Sequence, residues 1–326
     1  MQSFHEEHDT LSKRFHRACV TGGAGFIGSH LVEHLLRLGM DVTVIDDLST
    51  GRASRIPPGA RFVEGSILDL AKSGEAMHGA EIIFHLAARV AIRSSFSFVV
   101  EDAQTNLVGT AAVLQAAAAA RTVRRVISTS SMAVYADSLT KRAVSEDHPT
   151  LPLSPYGVSK LAAEQLTHLY CAQAGIESAV LRLFNTFGPG QTLSPYVGVV
   201  TIFVNQLTRG EQPTIFGDGL QMRDFVHVLD VVQGFSRAMS GRASGETFNI
   251  GSGQATTLNW LYRSVTEVMQ IKQPPLHAPF AAGELLCSFA DISKAIRELG
   301  YQPRYGLAES LPAVIEEICT AAAASV

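Results

Sequence analysis

The stretch that most constrains this chain is TGGAGFIGSHL (21–31), where a short apolar run hands over to an amphipathic one. Residues 17–21 (RACVT) read as a strand, and 26–39 (FIGSHLVEHLLRLG) as a helix ended by Gly39. The glycines between them fit both GxGxxG and GxxGxxG. They permit a tight turn and close backbone approach, while the helix N-terminus offers amides and a positive dipole end to a pyrophosphate. Such a loop belongs where the first strand of a doubly wound parallel sheet meets its first helix.

The alternation continues downstream. DVTVID (41–46), RFVEG (61–65), EIIFHLA (81–87), RRVISTS (124–130) and SAVLRLF (178–184) are further strand candidates. Their short apolar runs lack alternation, as expected of strands buried on both faces. A long helix former fills 99–120, and a second helix starts at SPYGVSK (154–160) and runs to a stopping glycine at 175. The fold class is therefore α/β, a Rossmann-type doubly wound parallel sheet. From residue 186 the pattern changes to a Pro/Gly-rich loop (187–196), a helix (197–210), a mixed segment (213–235), FNIGSG (248–253) and helices near 257–270 and 306–322. The expected organisation is a flexible leader (1–16), a cofactor-binding domain (17–185) and a smaller C-terminal substrate-binding lobe (186–326). Segments 225–228 and 248–250 are candidates to rejoin the main sheet.

Composition narrows the partners. With 326 residues, 46% hydrophobic and 17% charged, the chain can bury a large core. A net charge of -4 lacks the basic footprint of nucleic-acid binding, and no apolar run approaches the ~20 residues that span a bilayer. The polar start, MQSFHEEHDTLSKRFHR, is neither a signal peptide nor an anchor. Cys19, Cys171, Cys287 and Cys319 are scattered, without a CxxC pair or a histidine cluster. Reduced thiols, a cytoplasmic location and no structural metal are the expectation.

Two further features carry chemistry. Asp46 closes the second strand, where a carboxylate accepts hydrogen bonds from a ribose 2′-OH and repels a 2′-phosphate. With Asp47 beside it, the expected cofactor is NAD. Tyr156 and Lys160 stand four apart, on one face of a helix. Lowering a phenol by about three units costs ~4 kcal/mol. A cation within about 5 Å supplies ~3 kcal/mol at an effective dielectric constant of 20. Lys160 and the nicotinamide together are thus expected to hold Tyr156 ionised. STSSMAVY (128–135) follows the fifth strand at the ligand-binding end, where a serine can relay a proton to Tyr156, although such a run also suits a cap or turn.

Taken in order, TGGAGFIGSHL, Asp46, HLAA (85–88), TSSMAVY, SPYGVSK, RLFNTFGPGQ, FGDGLQMRDFVHV and FNIGSG resemble the NAD-dependent nucleotide-sugar epimerase/dehydratase family of extended short-chain dehydrogenases/reductases. The resemblance spans about residues 17–305 and looks nearest to the UDP-hexose 4-epimerases. It implies Tyr156 as the base, Lys160 as its partner and Ser131 as the third catalytic residue. It implies NAD contacts at Gly22, Gly25, Phe26, Ile27, Gly28, Asp46, Ser49, Thr50, Gly51, Ile67, Leu86, Ala87, Ala88 and Asn106, with Asp47 and Ser66 alongside. Asn185 and Arg223 match positions that hold the nucleotide diphosphate of a UDP-sugar. A homodimer built from the helices at 99–120 and 156–174 is also implied.

Several positions depart from the pattern. Ser66 replaces an aspartate near the adenine, Gly190 replaces the arginine of a GPRQ motif, and Ala281 stands where an arginine grips a phosphate. Ser288, counted from Gly283-Glu284, falls where hexose-restricted 4-epimerases carry a large tyrosine, which implies room for an N-acetylated or otherwise enlarged sugar. Met132-Ala133 occupies the place of the Asp-Glu pair of 4,6-dehydratases, and the glutamate of related decarboxylases is absent too. The expected reaction is C4 epimerisation of a UDP-hexose or UDP-N-acetylhexosamine through a transient 4-keto sugar. The alternatives are a dehydratase, a ketoreductase, a nucleotide-sugar dehydrogenase or a UDP-glucuronate 4-epimerase of the same fold. A non-catalytic NAD-sensing protein is the reading that intact Ser131, Tyr156 and Lys160 oppose.

Overall fold

The computed structural model describes residues 14–90, 92–191, 198–280 and 285–323. Its strands are Arg17–Thr21 (β1), Asp41–Asp46 (β2), Arg61–Glu64 (β3), Ile82–His85 (β4), Arg125–Ser131 (β5), Glu177–Leu183 (β6), Asn185–Phe187 (β7), Thr214–Phe216 (β8), Met222–Arg223 (β9), Phe225–His227 (β10), Glu246–Ile250 (β11), Thr256–Thr257 (β12), Leu276–Ala278 (β13) and Cys287–Ser288 (β14). Seven of them form one parallel sheet in the order β11-β6-β5-β4-β1-β2-β3. The helices are Phe26–Arg37 (α1), Leu70–Met77 (α2), a continuous run of Val99–Ala103, Gln104–Val108 and Gly109–Ala120 (α3), Pro155–Ala174 (α4), Val199–Thr208 (α5), Val228–Arg237 (α6), Leu258–Val268 (α7) and Leu307–Ala323 (α8).

Helices α1 and α6 cover one face of the sheet, and α2, α3 and α4 cover the other. Along β1, Ala18 and Val20 enter the first core while Cys19 enters the second. Burial on both faces is why these strands read as unbroken apolar runs. Helix α4 starts where its local chemistry dictates. Ser154 Oγ accepts the Gly157 N–H (3.1 Å), Pro155 occupies the first turn, and Gly175 ends the helix in the left-handed region at φ 69°.

The remaining strands pair in small ribbons, β7 with β10, β12-β9-β14, and β8 with β13. Around them α5, α7 and α8 enclose a third core that includes Phe203 and Tyr262, packed edge to face at 5.4 Å.

Three expectations need correction. Only 248–250 of the two candidate segments rejoins the main sheet. The edge beside β6 is taken by β11, so residues 225–227 pair with β7 instead. The helix at 99–120 is continuous but widens to π-type hydrogen bonding over Gln104–Val108. The end of the leader is part of the fold. Phe15 is fully buried between the guanidinium groups of Arg14 and Arg124 (5.3 and 4.8 Å), and Arg14 binds both oxygens of Glu177 (2.8 and 2.7 Å). Residues 1–13 lie outside the described residues. Helix α2 had no counterpart in the sequence reading, although its N-cap, Asp69, accepts the Ala71 and Lys72 N–H groups in the usual way.

Candidate active site

The glycine loop folds because Gly22 and Gly28 have no room for a side chain, while Gly25 keeps one side of the loop open. Gly22 adopts φ 73°, and a Cβ there would stand 2.7 Å from the Ala87 nitrogen. At Gly28 a Cβ would meet the Gly22 oxygen at 2.1 Å, so this glycine seats α1 against the turn. At Gly25 a Cβ would approach only the Gly22 oxygen, at 3.2 Å, and would otherwise fill the open side of the loop. No side chain caps the α1 N-terminus, which leaves the Phe26 and Ile27 amides to an outside acceptor, while the Gly25 N–H donates to the Gly22 carbonyl (3.1 Å).

Asp46 sits beside this cradle, 8% exposed. Its Oδ2 accepts the Ala24 N–H (3.0 Å) and its Oδ1 the Leu48 N–H (2.9 Å). Burial pushes its carboxyl above the usual range, and the two amides oppose the rise. The Ser49-Thr50-Gly51 loop closes over it, since a Cβ on Gly51 would lie 2.9 Å from Asp46 Oδ1. Asp47 is exposed and accepts the Ser49 N–H (3.0 Å). These residues fit a dinucleotide, with a pyrophosphate at Gly25 and a ribose at Asp46.

The HLAA segment meets the same cradle through a buried relay that the sequence reading missed. Thr21 Oγ1 accepts the Leu86 and Ala87 N–H groups (3.2 and 3.1 Å), so its proton goes to His85 Nδ1 (2.8 Å). His85 Nε2–H then donates to Thr110 Oγ1 (3.0 Å), which donates to the Asn106 carbonyl (2.6 Å). Burial and the Lys160 charge hold His85 down to about 3, so it stays neutral. Asn106, inside the π-turn, is fully engaged by its neighbours. It accepts the Arg89 N–H (2.9 Å) and donates to the Arg89 carbonyl (3.0 Å) and Asp102 Oδ1 (3.1 Å). It therefore shapes the loop carrying Ala88. Ser66 Oγ accepts the Leu68 N–H (3.2 Å). Ile67 packs inward against Gly109, where a Cβ would lie 2.5 Å from its Cδ1, so only its main chain remains for a ligand.

At the end of β5, the Ser131 hydroxyl accepts the Ala133 N–H (3.2 Å) and acts on the Tyr156 phenol. The approach depends on Gly157, where a Cβ would meet the Ala133 oxygen at 2.3 Å. Tyr156 is 5% exposed and Lys160 3%. Burial pushes the Tyr156 phenol up to about 12, opposed by Ser131 and reinforced by the Asp102 charge. Burial also lowers Lys160 to about 8, opposed by Asp102 and Glu164. The Lys160 ammonium reaches toward Thr129 Oγ1 (3.5 Å). Burial dominates the Tyr156 phenol in the protein alone, so the expected ionisation rests on the nicotinamide charge together with Lys160.

A family model described as the NAD dependent epimerase/dehydratase family matches residues 18–251. This chain belongs to that family. UDP-glucose 4-epimerase from Mycolicibacterium smegmatis is 37% identical over 306 residues, 92% of this chain and 97% of that protein. The crystal structure of UDP-glucose 4-epimerase with UDP-glucose from Thermotoga maritima has a TM-score of 0.89 at 35% identity, covering 94% of this chain and 99% of that one. UDP-N-acetylglucosamine 4-epimerase from Methanobrevibacter ruminantium, in complex with UDP-N-acetylmuramic acid, has a TM-score of 0.87 at 27% identity, with coverage of 94% and 99%.

In this NAD-dependent epimerase/dehydratase the residues expected to hold substrate gather around Asp224, another group the sequence reading passed over. Asp224 is fully buried. Its Oδ1 accepts the Ser252 N–H and hydroxyl (2.7 Å each), and its Oδ2 accepts the Gly253 and Ala290 N–H groups (2.9 and 3.1 Å). Asn185 donates from its main chain (3.0 Å) and from Nδ2 (3.2 Å) to the Asp224 carbonyl. Ser288 is paired in parallel register with Arg223, which puts both side chains on one side of the ribbon. Gly190 has φ 81°, so the arginine of relatives would be strained on this backbone. Ala281 and Gly283-Glu284 lie outside the described residues. Among the described residues there is no cluster of three or more His, Cys, Asp or Glu able to hold a metal, and no helix is long and apolar enough to cross a membrane.

Proposed function

We propose that this chain is an NAD-dependent C4 epimerase of a UDP-hexose or UDP-N-acetylhexosamine. The carrying observation is Ser131 acting on the buried Tyr156 phenol with Lys160 one turn along, followed by Met132 and Ala133, which are apolar and 7% and 5% exposed. NAD in the cradle supplies a hydride acceptor that later returns the hydride. Ser131 holds the sugar 4-oxygen, and Tyr156 takes its proton and gives it back after the sugar has turned over. Lys160 provides the nearby positive charge, and Asn185 and Arg223 hold the nucleotide diphosphate. Water elimination needs an acid and a base beside Ser131, and Met132-Ala133 offers neither, which favours epimerisation over dehydration.

In this reading residues 17–185 hold NAD and 186–326 hold the nucleotide sugar, with β11 returning to the sheet. The protein works in the cytoplasm as a homodimer joined through α3 and α4, whose Val100, Val108, Val158 and Leu169 are 65%, 53%, 55% and 70% exposed. Light scattering at micromolar concentration tests the dimer. The reaction is tested by incubating the protein with UDP-, dTDP- and GDP-sugars and following products by NMR. A UDP-sugar inverted at C4 is expected. Loss of water or carbon dioxide, or no turnover at all, refutes the assignment.

A further inference from the structure

We propose that Asp137 is a specificity-positioning residue, its carboxylate holding the sugar-side wall that carries Ser288 in register with Ser131. The proposal rests on the epimerase reading above and names a determinant of its sugar selectivity. Asp137 lies on the excursion that leaves β5 just after Ser131. Its Oδ1 accepts the N–H groups of both Leu286 and Cys287, and its Oδ2 also accepts that of Leu286, all at 3.0 Å. The neighbouring Ser138 hydroxyl donates to the Arg142 carbonyl (2.9 Å). Farther along the same excursion the Val144 N–H donates to the Phe289 carbonyl (2.8 Å), and the Asp291 N–H donates to the Val144 carbonyl (2.9 Å).

The opposite edge of this wall belongs to the phosphate side. The Met222 N–H donates to the Leu286 carbonyl (2.9 Å) and the Asp224 N–H to the Ser288 carbonyl (3.0 Å). Residues 286–291 are thus strung between the strand of Arg223 and the excursion of Ser131. Met132, Val134, Tyr135, Leu285 and Ala290 fill the space between. A carboxylate gripping two consecutive amides is a short charge-assisted fork, stiffer than a neutral turn. It fixes how far the Ser288 side stands from the catalytic hydroxyls. An N-acetyl group differs from a hydroxyl by only a few atoms, so small displacements of this wall decide which sugar fits.

The test uses the full-length, NAD-loaded protein with Asp137→Asn and Asp137→Ala, each alone and combined with Ser288→Tyr. Calorimetry gives the Kd for UDP, UDP-glucose and UDP-N-acetylglucosamine, and kinetics give kcat and KM for both sugars. UDP affinity and bound NAD are expected within about twofold of wild type, while the kcat/KM ratio of the two sugars shifts about fivefold or more in Asp137→Ala. The Asn variant, which keeps one accepting oxygen at the same size, shifts less and carries the test if the Ala variant does not fold. The selective loss caused by Ser288→Tyr shrinks when Asp137 is absent, because the wall can then yield. Equal loss for both sugars, or an unchanged effect of Ser288→Tyr on both backgrounds, overturns the positioning role while leaving the epimerase reading intact. A wild type that binds UDP but neither sugar refutes the epimerase reading, and the wall's role with it.

Discussion

Replacing Lys160 by methionine probes the electrostatics of the site without any substrate. The ammonium is 3% exposed, and burial lowers its folded-state value from 10.5 to about 8. Because the folded value lies below the unfolded one, the unfolded chain binds more protons between these limits, and stability rises with pH across that window. Below about pH 8 both states carry the charge and the folded state bears the full penalty. Above about 10.5 neither does, and the penalty is gone. The gap corresponds to about 3 kcal/mol. The assay is urea unfolding of NAD-free wild type and Lys160→Met side by side from pH 7 upward, since the difference between the two cancels other titrating groups. Wild type should gain about 3 kcal/mol on the variant between neutral pH and the top of the window. A difference that stays flat, or runs the other way, would refute the claim that desolvation outweighs the help of Asp102 and Glu164.

Tyr156→Phe should lower turnover about 100-fold or more while NAD affinity stays within about twofold, because only the proton-carrying oxygen is lost; near-normal turnover would sink the mechanism. Asp46→Ala should weaken NAD binding about tenfold and narrow the discrimination against NADP, measured by fluorescence titration with both, since a charged hydrogen-bond acceptor is removed. Wild type binding NADP as tightly as NAD would show that the carboxylate does not face the ribose. Ser288→Tyr should cost UDP-N-acetylglucosamine far more kcat/KM than UDP-glucose, and equal losses would place the residue away from the sugar.

What could be read in the sequence is what short spacing controls. The glycine loop, the helix start at SPYGVSK, and Tyr156 one turn before Lys160 depend on residues within a few positions, and the structure has them as expected. The strands of the main sheet were visible because double burial makes them uniformly apolar. The Asp224 hub and the Asp137 fork were not visible, since their partners stand 28 to 150 residues away and an aspartate carries no mark of its distant amides. The pairing of 225–227 failed for a similar reason: a short apolar strand does not say which edge is already filled. Helix spacing reports the proximity of Tyr156 to Lys160 but not the loss of water around both, which raises the phenol and lowers the amine.

The return of β11 to the sheet governs how relatives of this enzyme can be recombined. Residues 246–250 hydrogen-bond along the length of β6, and Gly234 of α6 packs directly on Ile250. A chimera cut once after β6, with everything downstream taken from a donor, would import a foreign edge strand and a foreign cover for α1. Cutting before that return and dropping it would expose a long apolar strand edge ready to pair with another chain. A workable exchange of substrate preference therefore needs several junctions, with 228–250 kept from the host and only the segments on either side replaced.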